Sequence, residues 1–371
     1  MPEAFSAVDV IRTKRDGAPL SPQQIDWVID AYTRGVVAEE QMSALAMAVF
    51  WRGLSADELA RWTHTDDEIL RRCGEAVDLG ATQIMLQGGH SPELGIEWYE
   101  RIFSSIKTTY PQLTLHSLGA SEVVHISRTS GIDFGTVIER LHAAGLDSFA
   151  GAGAEILVER PRTAIAPLKE KGEVWLQVME TAHNLGVEST ATFMMGTGET
   201  NAERIEHLRM IRDVQDRTAG FRSFIPWTYQ PENNHLKGRT QATTLEYLRL
   251  VAVARLFFET VPHLQASWLT TGKDVGQLSL HMGVDDLGSI MLEENVISSA
   301  GARHRSNLHE LIALIRSADR IPAQRDTLYN RMAIHWTPAD DPTDERVVSH
   351  FSSIALPGGG AGRSLPLVDA R

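Results

Sequence analysis

Three segments that combine glycine with polar or acidic side chains follow stretches of β character. They are QGGH at 87–90, GAGAE at 151–155 and MGTGE at 195–199. Glycine lets backbone amides and carbonyls approach a ligand closely, and Glu155 has the chemistry to bind ribose hydroxyls or an ammonium group. Each segment alone also fits an ordinary tight turn or helix cap. Three of them at successive strand ends predict a shared rim that admits a sizeable cofactor or nucleoside.

Two further segments carry groups suited to a substrate. FIPWTYQPENN at 224–234 places Phe224 and other aromatic residues near Gln230, a set that can stack on rings and hydrogen-bond their edges. Packing of these aromatics into the core is the equally good alternative. MLEENV at 291–296 contains Glu293 and Asn295, and a carboxylate there could act as a general base, although adjacent acidic residues are usually only solvated.

The cysteine and histidine content restricts the metal chemistry. Cys73 is the single cysteine, which excludes an internal disulfide and any multi-cysteine zinc or iron–sulfur site within one chain. His116 and His125 show neither HxH nor HExxH spacing, so a zinc hydrolase has little support. We therefore predict no metal site formed by this chain alone.

Composition excludes other classes of function. The formal net charge of −13 argues against nucleic acid as a partner, since a phosphate backbone is bound by concentrated Lys and Arg. No apolar run approaches the roughly 18 to 20 residues of a membrane span. We expect a cytoplasmic protein that binds neither nucleic acid nor membrane.

The first sixty or so residues predict a small all-α unit. A helix is expected from Pro22, because Ser21 can cap it and Gln24 completes a capping box. Ser55 and Glu58 form a second box of the same kind. The intervening helix is expected to bury the apolar residues Met42, Leu45, Ala46, Val49 and Phe50.

Beyond about residue 65, short β-rich runs alternate with amphipathic helical stretches. Strands recurring every 30 to 40 residues or so, with helices between them, imply parallel pairing and right-handed crossovers. The pattern predicts a (β/α) barrel with its functional groups at the carboxyl ends of the strands. The predicted strands are TQIMLQ from Thr82, LTLHS from Leu113, DSFAG from Asp147, STATFMM from Ser189, FRSFIPW from Phe221, LQASWL from Leu264 and, most weakly, SIML from Ser289.

Two resemblances divide the chain. From about His64 onward it resembles the radical S-adenosylmethionine family of the futalosine menaquinone pathway, the cyclic dehypoxanthine futalosine synthases. That resemblance rests on GATQIMLQGGH, HSLGASEVVHI, AAGLDSFAGAGAEIL, STATFMMGTGETNAERIEHL, GFRSFIPWTYQPEN, LQASWLTTGKDVGQLSL and DDLGSIMLEENV. Residues 5–62 instead resemble the N-terminal helical segment of thymidine phosphorylase, and the chain reads as a chimera of the two.

The resemblances imply a fold and a domain organisation. The fold is an α/β, partial (β/α) TIM-type barrel of the radical S-adenosylmethionine kind that lacks its first βα unit and follows a small all-α segment. The expected domains are a helical segment over 1–63, a barrel over 64–335 and an irregular tail over 336–371. In the phosphorylase the helical segment helps to form a dimer, so here it is expected to offer a surface for a homodimer.

The futalosine family also implies a cofactor, a substrate and site residues. Its members hold a [4Fe–4S] cluster through a CxxxCxxC loop, and the cluster binds S-adenosylmethionine, whose radical acts on a nucleoside-like substrate. Residues of this chain matching cofactor positions are Gln87, Gly88, Gly89 and Glu155, and Gly196 completes the rim. Phe224 and Gln230 are assigned to the substrate and Glu293 and Asn295 to catalysis.

The cluster loop of the family has no counterpart in this sequence. With one cysteine, the chain is expected to be unable to hold the [4Fe–4S] cluster. Three interpretations stay open. The chain is a synthase relative that is inactive as written, a cluster-free protein that binds S-adenosylmethionine or a nucleoside, or a chain related to pyrimidine nucleoside phosphorylases.

Overall fold

The chain forms two compact units, whose boundary in its N-terminal part falls between Arg71 and Arg72. The structure is a computed structural model that describes residues 3–55, 57–58, 65–88, 90–232, 236, 239, 241–292 and 304–342. The predicted domain boundary at residue 63 lies outside these described residues and stays a prediction. No helix in the described part of the chain is long and apolar enough to span a bilayer.

Three helices lie wholly within the described part of the first unit. They are α1 (Ala7–Arg15), α2 (Pro22–Thr33) and α3 (Glu39–Arg52). Helix α2 begins as predicted, because the Ser21 hydroxyl accepts from the Gln24 amide and the Gln24 side chain accepts from the Ser21 amide. The buried core of the unit consists of Ala7, Val10, Leu20, Ile25, Val28, Ile29, Ala31, Val37 and Leu45.

Helix α3 buries fewer apolar residues than its periodicity predicts. Leu45 is buried, but Ala46 is exposed and the Phe50 side chain is 77% exposed, so their predicted burial is wrong. Trp51 is also 75% exposed and meets Phe50 edge to face. The helix packs against the core through Leu45 and through Met42 and Val49, which are only partly buried, and the aromatic pair stays exposed. The predicted homodimer through these helices stays a prediction.

A buried ion pair ties the start of the first unit to its end. The Lys14 ammonium donates to both carboxylate oxygens of Glu58, at 2.7 and 2.8 Å, and the two side chains are only 5% and 2% exposed. Glu58 also accepts from the backbone amides of Leu20 and Ser55. One carboxylate therefore joins α1, the connection to α2 and the predicted Ser55 cap.

The second unit alternates helices with short strands, and helix α4 (Asp66–Asp78) spans the boundary. Its strands are β1 (Gln83–Ile84), β2 (Thr114–Leu115), β3 (Ser189–Met195), β4 (Phe221–Thr228), β5 (His263–Leu264), β6 (Ala323–Arg325) and β7 (Arg331–Ile334). Its further helices are α5 (Ile96–Thr109), α6 (Ala120–Ser130), α7 (Phe134–Ala143), α8 (Glu159–Ile165), α9 (Gly172–Asn184), α10 (Asn201–Thr218), α11 (Thr244–Phe257), α12 (Trp268–Thr271), α13 (Lys273–Ser279) and α14 (Leu308–Ser317), and a 3-10 turn covers Pro338–Asp340.

Parallel pairing runs through the chain in sequence order. Strand β1 pairs with β2, and β3, β4 and β5 pair in turn. Single parallel bridges join the segments between them, from His116 to Ser148, from Phe149 to Ser189 and from Gln265 to Asp286. This succession, with helices between the strands, is the predicted barrel arrangement, and it brings the carboxyl ends of these parallel strands to one rim, whereas β6 and β7 form a separate antiparallel pair.

The predicted strand DSFAG at 147–151 forms only single bridges, at Ser148 and Phe149, and two further predicted strands differ from the structure. No strand forms over 289–292, because the chain pairs earlier, at Asp286, whose carboxylate accepts from the Tyr329 hydroxyl and pairs with Arg325. The strand predicted over 264–269 ends early, and Trp268–Thr271 is a short helix. In both segments the sequence is apolar enough for a strand, and tertiary contacts decide the outcome.

We predict that replacing Glu58 with Gln lowers the free energy of unfolding by about 3 kcal/mol, because it leaves the Lys14 ammonium buried without a counter-charge. Urea unfolding of the full chain measures the change. Asp16→Asn is the matched control, since the Arg15–Asp16 pair has side chains 62% and 61% exposed and its loss should change the free energy of unfolding far less. Equal losses in both variants would contradict the role given to the buried pair.

The same carboxylate predicts a pH dependence. Burial would raise the pKa of Glu58, but hydrogen bonds from Leu20, Lys14 and Ser55 outweigh it and bring the pKa down to about 2. The pKa of a glutamate in the unfolded chain is about 4.3. The folded value is the lower one, so the stabilisation is present above about pH 5 and is lost as the pH falls toward 2. Glu58→Gln should lose this acid-sensitive component in unfolding experiments between pH 3 and 7.

Candidate functional site

A buried carboxylate holds the loops that follow β1 and β2. The Gly88 amide donates to Glu122 Oε1 at 2.9 Å, and the Gly119 amide donates to Glu122 Oε2 at 2.6 Å. Glu122 lies in the first turn of α6 and is buried, whereas Gln87 and Gly88 are exposed. Burial raises the pKa of Glu122, and the two amides oppose that rise. The buried side chain of Glu122 therefore fixes the exposed segment 87–88.

Glu155 lies in the loop that follows the bridged residues Ser148 and Phe149. Its backbone conformation is unusual for its residue type. Its φ is 44°, in the left-handed region that L side chains rarely adopt. The carbonyl of Glu155 accepts from the Met194 amide at 2.7 Å, which ties it to β3. Its carboxylate is half-buried and receives the Lys169 ammonium at 2.6 Å. A cofactor group at this carboxylate would therefore share it with Lys169.

Arg162 holds the loop that carries Glu155. Its guanidinium donates to the carbonyls of Gly153, Ala154 and Ile156, at 3.1, 2.6 and 3.2 Å. It also donates to the carbonyl of Glu170 at 2.7 Å and forms an ion pair with that residue's carboxylate at 3.1 Å. The side chain is 2% exposed. Burial lowers the pKa of Arg162, and the Glu170 carboxylate opposes that effect.

The third glycine loop is closed by its own acidic residue. The amides of Gly196 and Thr197 donate to the two oxygens of Glu199, at 2.9 and 2.8 Å, and Arg204 pairs with the same carboxylate at 2.9 Å. Gly196 has φ 93°, and a Cβ there would lie 2.8 Å from the amide nitrogen of Ala242. Glycine is therefore required by the backbone, and the assignment of Gly196 to a cofactor stays a prediction.

Phe224 and Gln230 occupy different environments. Phe224 is fully buried and packs against Phe258, with ring centroids 5.0 Å apart, and against His207 on α10. This is the environment of a core residue. Gln230 follows β4, and its side-chain amide donates to the carbonyls of Thr228 and Thr270, at 3.0 and 3.1 Å. Both assignments to the substrate stay predictions, and the surroundings favour packing for Phe224.

Three predicted site residues cannot be placed. Gly89, Glu293 and Asn295 lie outside the described residues. Their assignments to the cofactor and to catalysis stay predictions.

The cysteine lies in an environment unlike that of a metal ligand. Cys73 is in the middle of α4 and is 2% exposed. Burial raises the pKa of its thiol to about 11, so the thiol is protonated at neutral pH, whereas iron–sulfur clusters are held by thiolates. Among the residues that the structure describes, no group of three or more His, Cys, Asp or Glu side chains is placed to hold a metal ion.

Sequence reasoning missed the residues that position the rim. The sequence did contain a signal for the role of Glu122. GASE has the spacing of a helix capping box, in which the side chain of the third helical residue hydrogen-bonds to the capping residue. Arg162 and Lys169 had none, because the segment ERPRTAIAPLKEK resembles a solvated helix with charged ends. Their partners lie within 14 residues along the chain, in loops whose conformation no regular pattern predicts.

Three family models match consecutive parts of the chain. The helical bundle domain of a glycosyl transferase family matches residues 8–65, the radical SAM superfamily matches 51–211, and the CofH/MqnC C-terminal region matches 218–337. The first match confirms the resemblance of the N-terminal helices to the phosphorylase segment. The other two cover the alternating part of the chain.

Two known relatives with different names are similar to this chain over most of its length. The cyclic dehypoxanthine futalosine synthase of Streptomyces coelicolor is 68% identical over 307 residues, which cover 83% of this chain and 77% of the relative. A 5-amino-6-(D-ribitylamino)uracil–L-tyrosine 4-hydroxyphenyl transferase of Methanosarcina acetivorans is 40% identical over 277 residues, or 72% of this chain and 74% of the relative.

A solved structure supports the fold. The methylornithine synthase PylB matches with a TM-score of 0.50 at 15% identity, over 84% of this chain and 95% of that protein. At this identity the likeness concerns the fold alone, and it confirms the predicted barrel class. Taken with the sequence matches, it shows that this chain belongs to the cyclic dehypoxanthine futalosine synthase family of radical S-adenosylmethionine proteins.

Proposed function

We propose that this chain binds S-adenosylmethionine or a related nucleoside at the barrel rim but does not itself assemble a [4Fe–4S] cluster or perform the family's cyclisation. The observation that carries the proposal is the state of the single cysteine. The chain has one cysteine thiol, which is buried and protonated, whereas the family's cluster needs three thiolates. The residues present do not fit the cluster.

The environment of Cys73 supports this proposal independently of the cysteine count. A cluster ligand must be deprotonated and must face the iron, whereas this thiol is buried, and its burial disfavours the thiolate. Bringing Cys73 to a metal would require α4 to unwind or rotate. The Cys73 side chain therefore contributes to packing, as buried free cysteines usually do.

The rim supports the binding half of the proposal. The loop glycines are held by three carboxylate or guanidinium groups, Glu122, Arg162 and Glu199, and each is satisfied by neighbours on this chain. A site whose backbone is already fixed loses little conformational entropy when a ligand binds. Space is open at Gly88, where an added Cβ would meet no atom within 4 Å. Exposed Gln87 and half-buried Glu155 supply polar groups for a small nucleoside-like molecule.

We predict that S-adenosylmethionine binding, measured by anaerobic calorimetry, is equally weak before and after treatment with iron and sulfide. The reason is that the rim alone provides the contacts. Glu155→Gln should weaken binding about tenfold, equivalent to about 1.4 kcal/mol, because a charged hydrogen-bond partner is lost. Glu159→Gln, an exposed glutamate in the first turn of α8, is the matched control and should leave binding unchanged.

Two results would contradict this proposal. Binding that appears only after iron and sulfide treatment would show that a cluster forms. Equal affinities for the unsubstituted chain and Glu155→Gln would remove Glu155 from the site.

We also predict that Glu122→Ala releases the segment 87–88. The amides of Gly88 and Gly119 lose their acceptor, at a cost of about 1 to 3 kcal/mol if they stay buried. Hydrogen exchange at the Gly88 amide should become faster, and ligand affinity should fall while the rest of the barrel keeps its protection. Glu139→Ala on α7, an exposed glutamate, is the control. Unchanged exchange at Gly88 would show that Glu122 does not position this loop.

A further inference from the structure

A cleft of about 270 Å³ lies beside the loop that follows β1. It is bounded by that loop, by helix α6 and by the segment 168–170 that precedes α9. Among the described residues, none of those predicted to bind the cofactor lines it. The side chains that matter here are His90, Ser121, His125, Arg128, Leu168 and Lys169.

Two histidines stack at the edge of this cleft. The rings of His90 and His125 are nearly parallel, with an interplanar angle of 10° and centroids 4.9 Å apart. His125 Nε2 lies 2.8 Å from the carbonyl oxygen of Ser91, which fixes that ring. Burial, then the neighbouring His125 and Lys169, lowers the pKa of His90, and Glu170 opposes this shift. An anion in the cleft would oppose the effect of Lys169 on the pKa of His90.

The cleft also contains a cationic side chain that has no counter-charge among the described residues. Arg128 is exposed on α6 and has no hydrogen-bond or ion-pair partner in the part of the chain that the structure describes. Lys169 contributes a second cation, although Glu155 already binds it. Glu170 is the one acidic residue lining the cleft among those described, and its carboxylate is taken by Arg162 and by the Ser121 hydroxyl at 2.9 Å. The unbalanced charge in the cleft is therefore positive.

We propose that this cleft binds the phosphate group of a phosphomonoester. A phosphate dianion can accept from a guanidinium fork and from further donors at once, whereas a carboxylate has only two oxygens to share. The side chain of Leu168 is fully exposed at the edge of the cleft and offers apolar contact to the rest of the ligand. The side chains that line the cleft differ from those assigned to the cofactor, and the two sites are linked through Lys169, which pairs with Glu155.

The histidine pair makes this binding pH-dependent. The anion favours the charged form of His90, so its arrival raises the pKa of that residue and binding takes up protons. The other charged or titratable groups facing His90 are His125, Lys169 and Glu170, with Arg128 also lining the cleft. Affinity should therefore rise as the pH falls from 8 to 6. Sulfate keeps its charge over this range, so it isolates the histidine contribution from the titration of phosphate itself.

Calorimetric titration of the full chain with inorganic phosphate, sulfate and acetate tests the proposal, with the histidine ring protons followed by NMR. Phosphate should shift the His90 and His125 signals, and acetate should bind at least about tenfold more weakly. Sulfate affinity should be several-fold higher at pH 6 than at pH 8. Arg128→Gln and His90→Gln should each weaken phosphate binding about tenfold.

Arg249→Gln, which removes an exposed arginine from α11, is the matched control and should bind phosphate as the unsubstituted chain does. All the substituted side chains are exposed, and circular dichroism verifies that each variant is folded. Absence of phosphate binding, acetate binding as tight as phosphate, or equal losses in Arg128→Gln and Arg249→Gln would each overturn the proposal.

Discussion

The buried guanidinium of Arg162 is the interaction on which the rim of the barrel depends. An arginine that is 2% exposed is stable only if its donors are satisfied, and here four backbone carbonyls and one carboxylate accept from it. These acceptors belong to two segments, 153–156 and Glu170. The first carries Glu155 at its strained backbone position, and the second borders the cationic cleft. One side chain therefore fixes the geometry of both proposed binding sites.

Local sequence rules predicted the parts of the structure that local interactions determine. The capping box at Ser21 and the strand Ser189–Met195 appear as predicted, because each depends on neighbours in the sequence or on a continuous β-rich run. The burial of Phe50 and the strand over 289–292 were wrong, since each is decided by what packs against that segment. The histidine stack joins residues that are distant in sequence, and the Arg162 network, although its partners lie within nine residues, depends on an irregular loop, so no short pattern indicated either of them.

Family membership and chemistry are separate questions for this chain. The radical SAM superfamily matches residues 51–211 and the CofH/MqnC C-terminal region matches 218–337, which establishes the family of the barrel. The reaction of such a family resides in particular groups, and a fold can keep its loops while those groups differ. Here the loops are held by Glu122, Arg162 and Glu199, which do not depend on a cluster. The rim can therefore keep its shape whether or not a cluster is present.

Iron and acid-labile sulfide content after anaerobic reconstitution tests the central claim most directly. The account predicts less than about one iron per chain, no broad visible absorption and no change on replacing Cys73 with Ala, because a single buried thiol cannot anchor a cluster. A radical S-adenosylmethionine protein that has the full cysteine motif, treated in parallel, serves as the positive control. About four irons and four sulfides per chain, with the absorption of a [4Fe–4S] cluster, would contradict the account.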